Sequence, residues 1–213
     1  MRRGFRVAAP LLPAAFVLGA SFGVLALASG FSAPAAIVMS ATTFAGSAQV
    51  ATVSVLGAAG GVAAAVVAAL LLNARYAPIG ITIARTFGGG HLRRFVEAQL
   101  VVDESWALAG GGGDRFDRGT FLGVGIALWF AWVGGTAAGT GLGEVVDDTS
   151  AFGLDGAFAA LFFALLLTQI GGRRSVAAAL IGAAIAAVLT PFTPPGVPII
   201  AATAAVLTGW WRR

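Results

Sequence analysis

The chain has 213 residues, 58% of them hydrophobic and only 10% charged, with 31 glycines, no cysteine and no lysine. Its mean hydropathy is +0.92, and its charged fraction lies far below the roughly 25% of soluble domains, so a soluble enzyme or binding module is excluded in favour of an integral membrane protein. Without cysteine there are no disulfides, thiolate metal sites or Cys nucleophiles. The net charge of +4 does not indicate nucleic acid, because the arginines cluster at the ends of apolar segments, as loops on the cytoplasmic side of a membrane require.

In chain order, Arg2, Arg3 and Arg6 precede an apolar run to about Ala28. The basic start resembles a signal peptide, but Pro10 and Pro13 interrupt its beginning, the apolar run is full length and no polar domain follows. It reads as a first spanning helix. Gly30 to Ala33 forms a turn, and Pro34 suits the first turn of the next helix. The apolar stretch 34–59 contains the small polar hexapeptide Phe44-Ala45-Gly46-Ser47-Ala48-Gln49. Hydrocarbon offers no water to backbone groups, so the hexapeptide reads as a break lining a cavity. Gly60-Gly61 ends this stretch, and Val62 to about Ala84 is a third apolar segment carrying Asn73 and Arg75.

Loop charge decides how these segments thread. If 34–59 crossed once, the basic 85–94 loop would lie opposite the basic N-terminus; if it dips in and returns as two half-helices, both fall on one side, the preferred arrangement. Residues 95–112 mix Glu97, Asp103 and Glu104 with Val, Leu and Trp. Two adjacent acids in a plain spanning helix would cost roughly 2.5–3.5 kcal/mol each. A second re-entrant or tilted element is therefore expected. Spanning segments follow from Gly119 to about Leu142, up to Gly171-Gly172-Arg173-Arg174, on to the turn at Pro191–Pro195, and finally to the anchor Trp210-Trp211-Arg212-Arg213. The expected fold is all-α, one membrane domain over 1–213 with about six full transmembrane helices and two broken or re-entrant elements. Both termini are cytoplasmic, and Glu144, Asp147, Asp148 and Asp155 lie outside.

Three separated motifs carry a family resemblance. The hexapeptide, then Asn73-Ala74-Arg75, then Asp103-Glu104-Ser105-Trp106-Ala107 together resemble the AzlC family, the larger subunit of branched-chain amino acid exporters. Leu128 to Thr136 and Gly153-Leu154-Asp155 fit the same pattern, so the resemblance covers nearly the whole chain. It implies a permease exporting valine, leucine and isoleucine, with methionine as a further substrate, across the bacterial cytoplasmic membrane together with a small AzlD-like membrane subunit.

No enzyme signature is present. Gly110 to Gly113 lacks the Lys of a phosphate loop, and the single His91 lies in a basic loop away from Ser47. No catalytic residue, metal site or cofactor is expected. For transport, a zwitterion needs donors for its carboxylate, an acceptor for its ammonium and an apolar pocket. Gly46, Ser47 and Gln49 are candidates at a broken-helix N-terminus. Asn73, Asp103 and Trp106 complete the candidate binding set, with Phe44, Trp129 and Trp132 as walls. Asp103 and Glu104 are candidates for proton coupling, with Arg75 as counter-charge. Each residue also has a plainer role. Gly46 to Ala48 suits helix packing and Gln49 an interhelical hydrogen bond, Asn73 and Arg75 suit a snorkelling helix end, and Trp129 with Trp132 suits packing on one helix face. Two other functions remain open on the residues alone: a channel for small neutral solutes, and a non-transporting subunit that stabilises another membrane protein.

Overall fold

The computed structural model describes residues 1–74, 76–110, 116–143, 163, 167, 172–193 and 197–205, and every regular element among them is helical. Arg75, the acids at 144, 147, 148 and 155, and Trp210-Trp211 lie outside the described residues.

Two helices are long and apolar enough to cross a membrane: α1 (Arg2–Ala28) and the helix Arg118–Gly143, which is α8 in the order given below. A 3-10 turn at Ala9–Leu11 re-phases α1 so that Pro10 and Pro13 each fall in a first turn, where a missing N–H costs little. Asp117 caps α8, its carboxylate accepting from the Gly119 and Thr120 N–H groups at 3.0 and 3.2 Å. The two helices run parallel. Gly4 lies against Gly123, Gly19 against Trp132, Gly23 against Gly139, and Leu27 against Gly143. At Gly135 and Gly139 the α1 backbone at Phe16 and Ala20 occupies the space a Cβ would need, the small-residue contact by which helices associate in lipid. Because the pair is parallel, residues 29–117 must begin at the far end of it and finish at the Met1 end.

They do so through two hairpins and one broken helix. The first hairpin is α2 (Ala33–Thr43) and α3 (Gly46–Gly57). Ser32 caps α2, Phe44 adopts a left-handed conformation at its end (φ 42°), and the chain reverses. Gly57 returns to Ser29, whose Oγ lies 2.7 Å from where its Cβ would be, so the hairpin enters and leaves at the far end. Helix α4 (Val62–Asn73) then runs back and stops, and α5 (Tyr76–Ile83) continues to the Met1 end, where Ile83 packs on Phe121. The single segment expected over 62–84 is thus interrupted after Asn73. Pro78 has no N–H to give the carbonyl of residue 74, which accepts instead from Ala77 N–H at 3.1 Å, and a proline there favours a kink or break.

The second hairpin is the reversal between α6 (His91–Ala98), a surface helix in which only Glu97 is buried, and α7 (Asp103–Ala109). It enters from the Met1 end, where Glu97 meets Arg118, reaches Leu100 against Gly125, and returns where the Ala109 carbonyl accepts from Asp117 N–H at 3.0 Å. After α8, helices α9 (Arg173–Leu189) and α10 (Val197–Ala202) pack on each other, and α10 touches α4.

Candidate functional site

Both hairpin tips rest on the middle of α8. Phe44 and Val102 share a buried cluster with Val124, Ala127 and Leu128, while Gly46 faces the Trp132 ring, whose Cη2 lies 2.7 Å from where a Cβ would be. Between Val124 and Trp132 the 26-residue helix is near its midpoint. At this depth the tips and the interruption in α4–α5 border an open pocket of about 200 Å³, with Thr43, Ala98 and Gln99 exposed at its rim. The first tip contributes Thr43, Phe44 and Ala45, and the second contributes Ala98, Gln99 and Val101. Asn73 and Tyr76 line it from either side of the break between them. Three helices end at this point and three begin, so backbone dipoles of both signs converge on it, as in transporters with discontinuous helices.

The first tip is held by a buried chain of hydrogen bonds. Gln49, fully buried, accepts from the Ala45 N–H through Oε1 (3.2 Å) and donates from Nε2 to Ser40 Oγ (3.0 Å). Ser40 and Thr136 hydroxyls are 2.8 Å apart, and Thr136 donates to the Trp132 carbonyl at 3.0 Å. With the Thr136 proton committed there, Ser40 is the donor in the hydroxyl pair. The chain therefore runs one way, from Gln49 to the α8 backbone. Trp129 adds a bond from Nε1 to the Ala41 carbonyl at 2.9 Å. Against these satisfied groups, the Asn73 Oδ1 and Trp132 Nε1 atoms are buried with no hydrogen-bond partner among the described residues. Such atoms carry the desolvation cost of the group until something pairs with them.

Of the residues singled out from the sequence, the cavity brings together Phe44 and Asn73. Gly46 and Gln49 stand directly behind its first tip, and Ser47 is half-buried in the first turn of α3. Asp103 opens α7, half-buried, two residues past the lining Val101, and Glu104 is exposed. Trp106 points toward α5, donating from Nε1 to Thr82 Oγ1 at 2.9 Å and packing on Phe116. The lining residues Thr43, Tyr76 and Gln99 were not singled out, although each is a polar side chain within an apolar stretch.

A second feature borders the cavity. Glu97, 5% exposed, sits one residue before the lining Ala98. Its carboxylate accepts from Arg118 Nε (3.1 Å) and Nη2 and from Arg93 Nε (3.0 Å). The Arg118 bonds hold its carboxyl below the usual range against the opposing effect of burial, and Arg93 adds to them. This clasp fixes the end of α6, next to the second tip, to the start of α8. Half of it was legible as an i, i+4 pair on α6; the bond to Arg118 spans 21 residues and leaves no local sign.

A family model described as AzlC protein matches residues 10–146, a span that contains both hairpins and the whole cavity lining. An uncharacterized membrane protein of Archaeoglobus fulgidus is 32% identical over 217 residues, covering 98% of this chain and 94% of its own length. No solved structure matches.

Proposed function

This chain belongs to the AzlC family, and on that premise we propose that it is a secondary transporter exporting branched-chain amino acids. The substrates are valine, leucine and isoleucine, with methionine as a further one, and export proceeds across the cytoplasmic membrane with a small AzlD-like subunit as partner. In this reading the chain makes six crossings and two re-entrant hairpins, with both termini in the cytoplasm. The arginines at positions 2, 3, 6 and 118 at one end of the α1–α8 pair favour that orientation.

The observation that carries the reading is the open pocket bordered at mid-depth by two hairpin tips and a helix break. The hairpins enter from opposite ends of the α1–α8 pair. Displacing the first opens the cavity to one end of that pair, and displacing the second opens it to the other, while α1 and α8 stay packed. Alternating access then needs no rearrangement of the long helices. Asp103, two residues behind the second tip, and its neighbour Glu104 supply the proton coupling, with Arg75 as counter-charge. Gly46, Ser47 and Gln49 support the first tip from behind the pocket, and Trp106 supports the α5 side through Thr82. No catalytic step is part of this function.

The test is efflux of preloaded radiolabelled valine from cells lacking their own exporters and expressing the chain with its small partner. Efflux competed by leucine and lost in Asp103→Asn, Glu104→Gln protein that still reaches the membrane is the expected result. Absence of efflux from well-folded wild type overturns the exporter. Valine flux indifferent to a pH gradient in reconstituted vesicles removes the proton coupling alone.

A further inference from the structure

Helix α6 is amphipathic in the reverse of the usual sense. At about 3.6 residues per turn, Leu92, Phe95 and Val96 fall within about 100° of one another, and Glu97 lies about 150° from their centre. Glu97 is the buried residue of the helix, held by Arg93 and Arg118, whereas Leu92, Phe95 and Val96 are 78%, 64% and 56% exposed. The helix is thus fastened to the protein by its polar side and turns its apolar side outward. A helix facing water would carry these faces the other way round.

Its level relative to the bilayer follows from Arg118, the first residue of α8. That helix has 26 residues, a length of about 39 Å against roughly 30 Å of hydrocarbon, so its ends reach the headgroups. Helix α6 is tied to this end at both of its own. The Cβ position of Gly88, just ahead of α6, lies 3.8 Å from Arg118 Cζ, and Glu97 in the last turn bonds the same guanidinium. With eight residues, about 12 Å, α6 cannot cross the bilayer, and a short helix of this pattern lies along the interface. Charge then selects the lipid. Arg85 and Arg94 are exposed, with no hydrogen-bond or ion-pair partner among the described residues, and the exposed Arg2, Arg3 and Arg6 stand at the same end. The carboxylates described at this end are committed, Glu97 to the arginines and Asp117 to the first turn of α8.

We propose that α6 is an interfacial docking helix for anionic phospholipid: Leu92, Phe95 and Val96 insert at the boundary of headgroups and acyl chains, while Arg85 and Arg94 bind lipid phosphates. This does not depend on which solute the chain transports. Because α6 runs directly into Ala98 and Gln99 at the pocket rim, the lipid surface holds one border of that pocket.

The chain has no cysteine, so Val96→Cys gives a single attachment point for an environment-sensitive fluorophore on the purified full-length protein in lipid nanodiscs. Discs of phosphatidylcholine alone are compared with an equal mixture of phosphatidylcholine and phosphatidylglycerol. The label should be quenched by acyl-chain-brominated lipid and protected from aqueous iodide, with the protected fraction larger in the phosphatidylglycerol discs. Arg85→Gln and Arg94→Gln should each lower the ratio of docked to free helix in those discs about fivefold, the value of one arginine at an anionic surface, and high salt should act in the same direction. Leu92→Ser combined with Phe95→Ser should return the label to iodide in both compositions. A label open to iodide in both compositions from the start overturns the proposal, since the face is then in water. A label reached by neither quencher overturns it in favour of protein cover, by a second copy or a partner subunit. Bromolipid quenching that is equal in the two compositions and unchanged in the arginine variants overturns the recognition of anionic lipid and leaves ordinary burial in hydrocarbon.

Discussion

The contact between α1 and α8 should be intolerant of a single methyl group at Gly139 and indifferent to the same group two residues later. A Cβ on residue 139 would penetrate the Ala20 carbonyl oxygen and lie 2.7 Å from its carbon, 0.7 Å inside the 3.4 Å of ordinary contact. The clash is with backbone, which cannot rotate away, so α1 and α8 must separate by at least that amount at a level next to Thr136. The Ser40–Thr136 bond, 2.8 Å long, would stretch to the 3.5 Å limit of a useful hydrogen bond if the whole shift fell on it. Overpacking of this kind costs about 1–3 kcal/mol, a loss of roughly 2–12 °C in melting temperature for a chain of this size. Gly141, on the same helix, has nothing within 4 Å of its Cβ position. There Gly→Ala should be neutral or stabilising by about 0.5–1 kcal/mol, through reduced backbone entropy of the unfolded chain. The assay is thermal unfolding of both variants in one detergent, beside valine efflux. Equal melting temperatures for Gly139→Ala and Gly141→Ala would refute the close packing of α1 on α8 and the placement of the first hairpin that depends on it.

Gln49→Leu removes the acceptor for the Ala45 N–H and the donor to Ser40 from a fully buried position, at about 1–3 kcal/mol. Melting temperature should fall while the KM for valine stays near wild type; a raised KM with unchanged stability would instead put Gln49 in contact with the substrate. Glu97 has a folded pKa below its unfolded value, chiefly because Arg118 bonds its charged form. Its contribution is therefore fully present above about pH 4.3 and lost as pH falls through the folded pKa. Glu97→Gln should unfold at lower temperature at neutral pH, by about 1.5 kcal/mol given that both arginines keep access to water, and should lack that portion of the acid dependence. Parallel pH profiles of wild type and Glu97→Gln would refute the clasp.

How much of this was legible before the structure follows from the range of the signals. The break at Phe44-Ala45 was readable because small polar residues inside an apolar run have no other cheap explanation in hydrocarbon. The second hairpin was readable because Glu97, Asp103 and Glu104 could not all be buried in one spanning helix. The interruption after Asn73 went unread although Pro78 favours it locally, since the apolar content of Val62 to Ala84 concealed the missing N–H. That the three interruptions meet was not readable at all. It depends on the parallel approach of α1 and α8, fixed by glycines more than 110 residues apart in sequence such as Gly23 and Gly139, and on the Glu97–Arg118 bond. Trp106 shows the same limit: its spacing allowed a place at the substrate, and only the tertiary contact with Thr82 shows where its N–H goes.

The first hairpin also sets an order for assembly. At 11 and 12 residues, α2 and α3 are each about half the length that crosses a bilayer. Their anchoring bonds go to Trp129 and Thr136, 88 and 96 positions further along the chain. At roughly 5–20 residues per second of synthesis, the hairpin waits some 4–20 s for its partner helix to emerge. During that interval the Gln49 amide and the Ser40 hydroxyl have only each other and the hairpin backbone. The nascent chain is then most exposed to quality-control proteases, and a variant that slows the arrival of α8 should reduce the yield of protein without changing the activity of the molecules that finish.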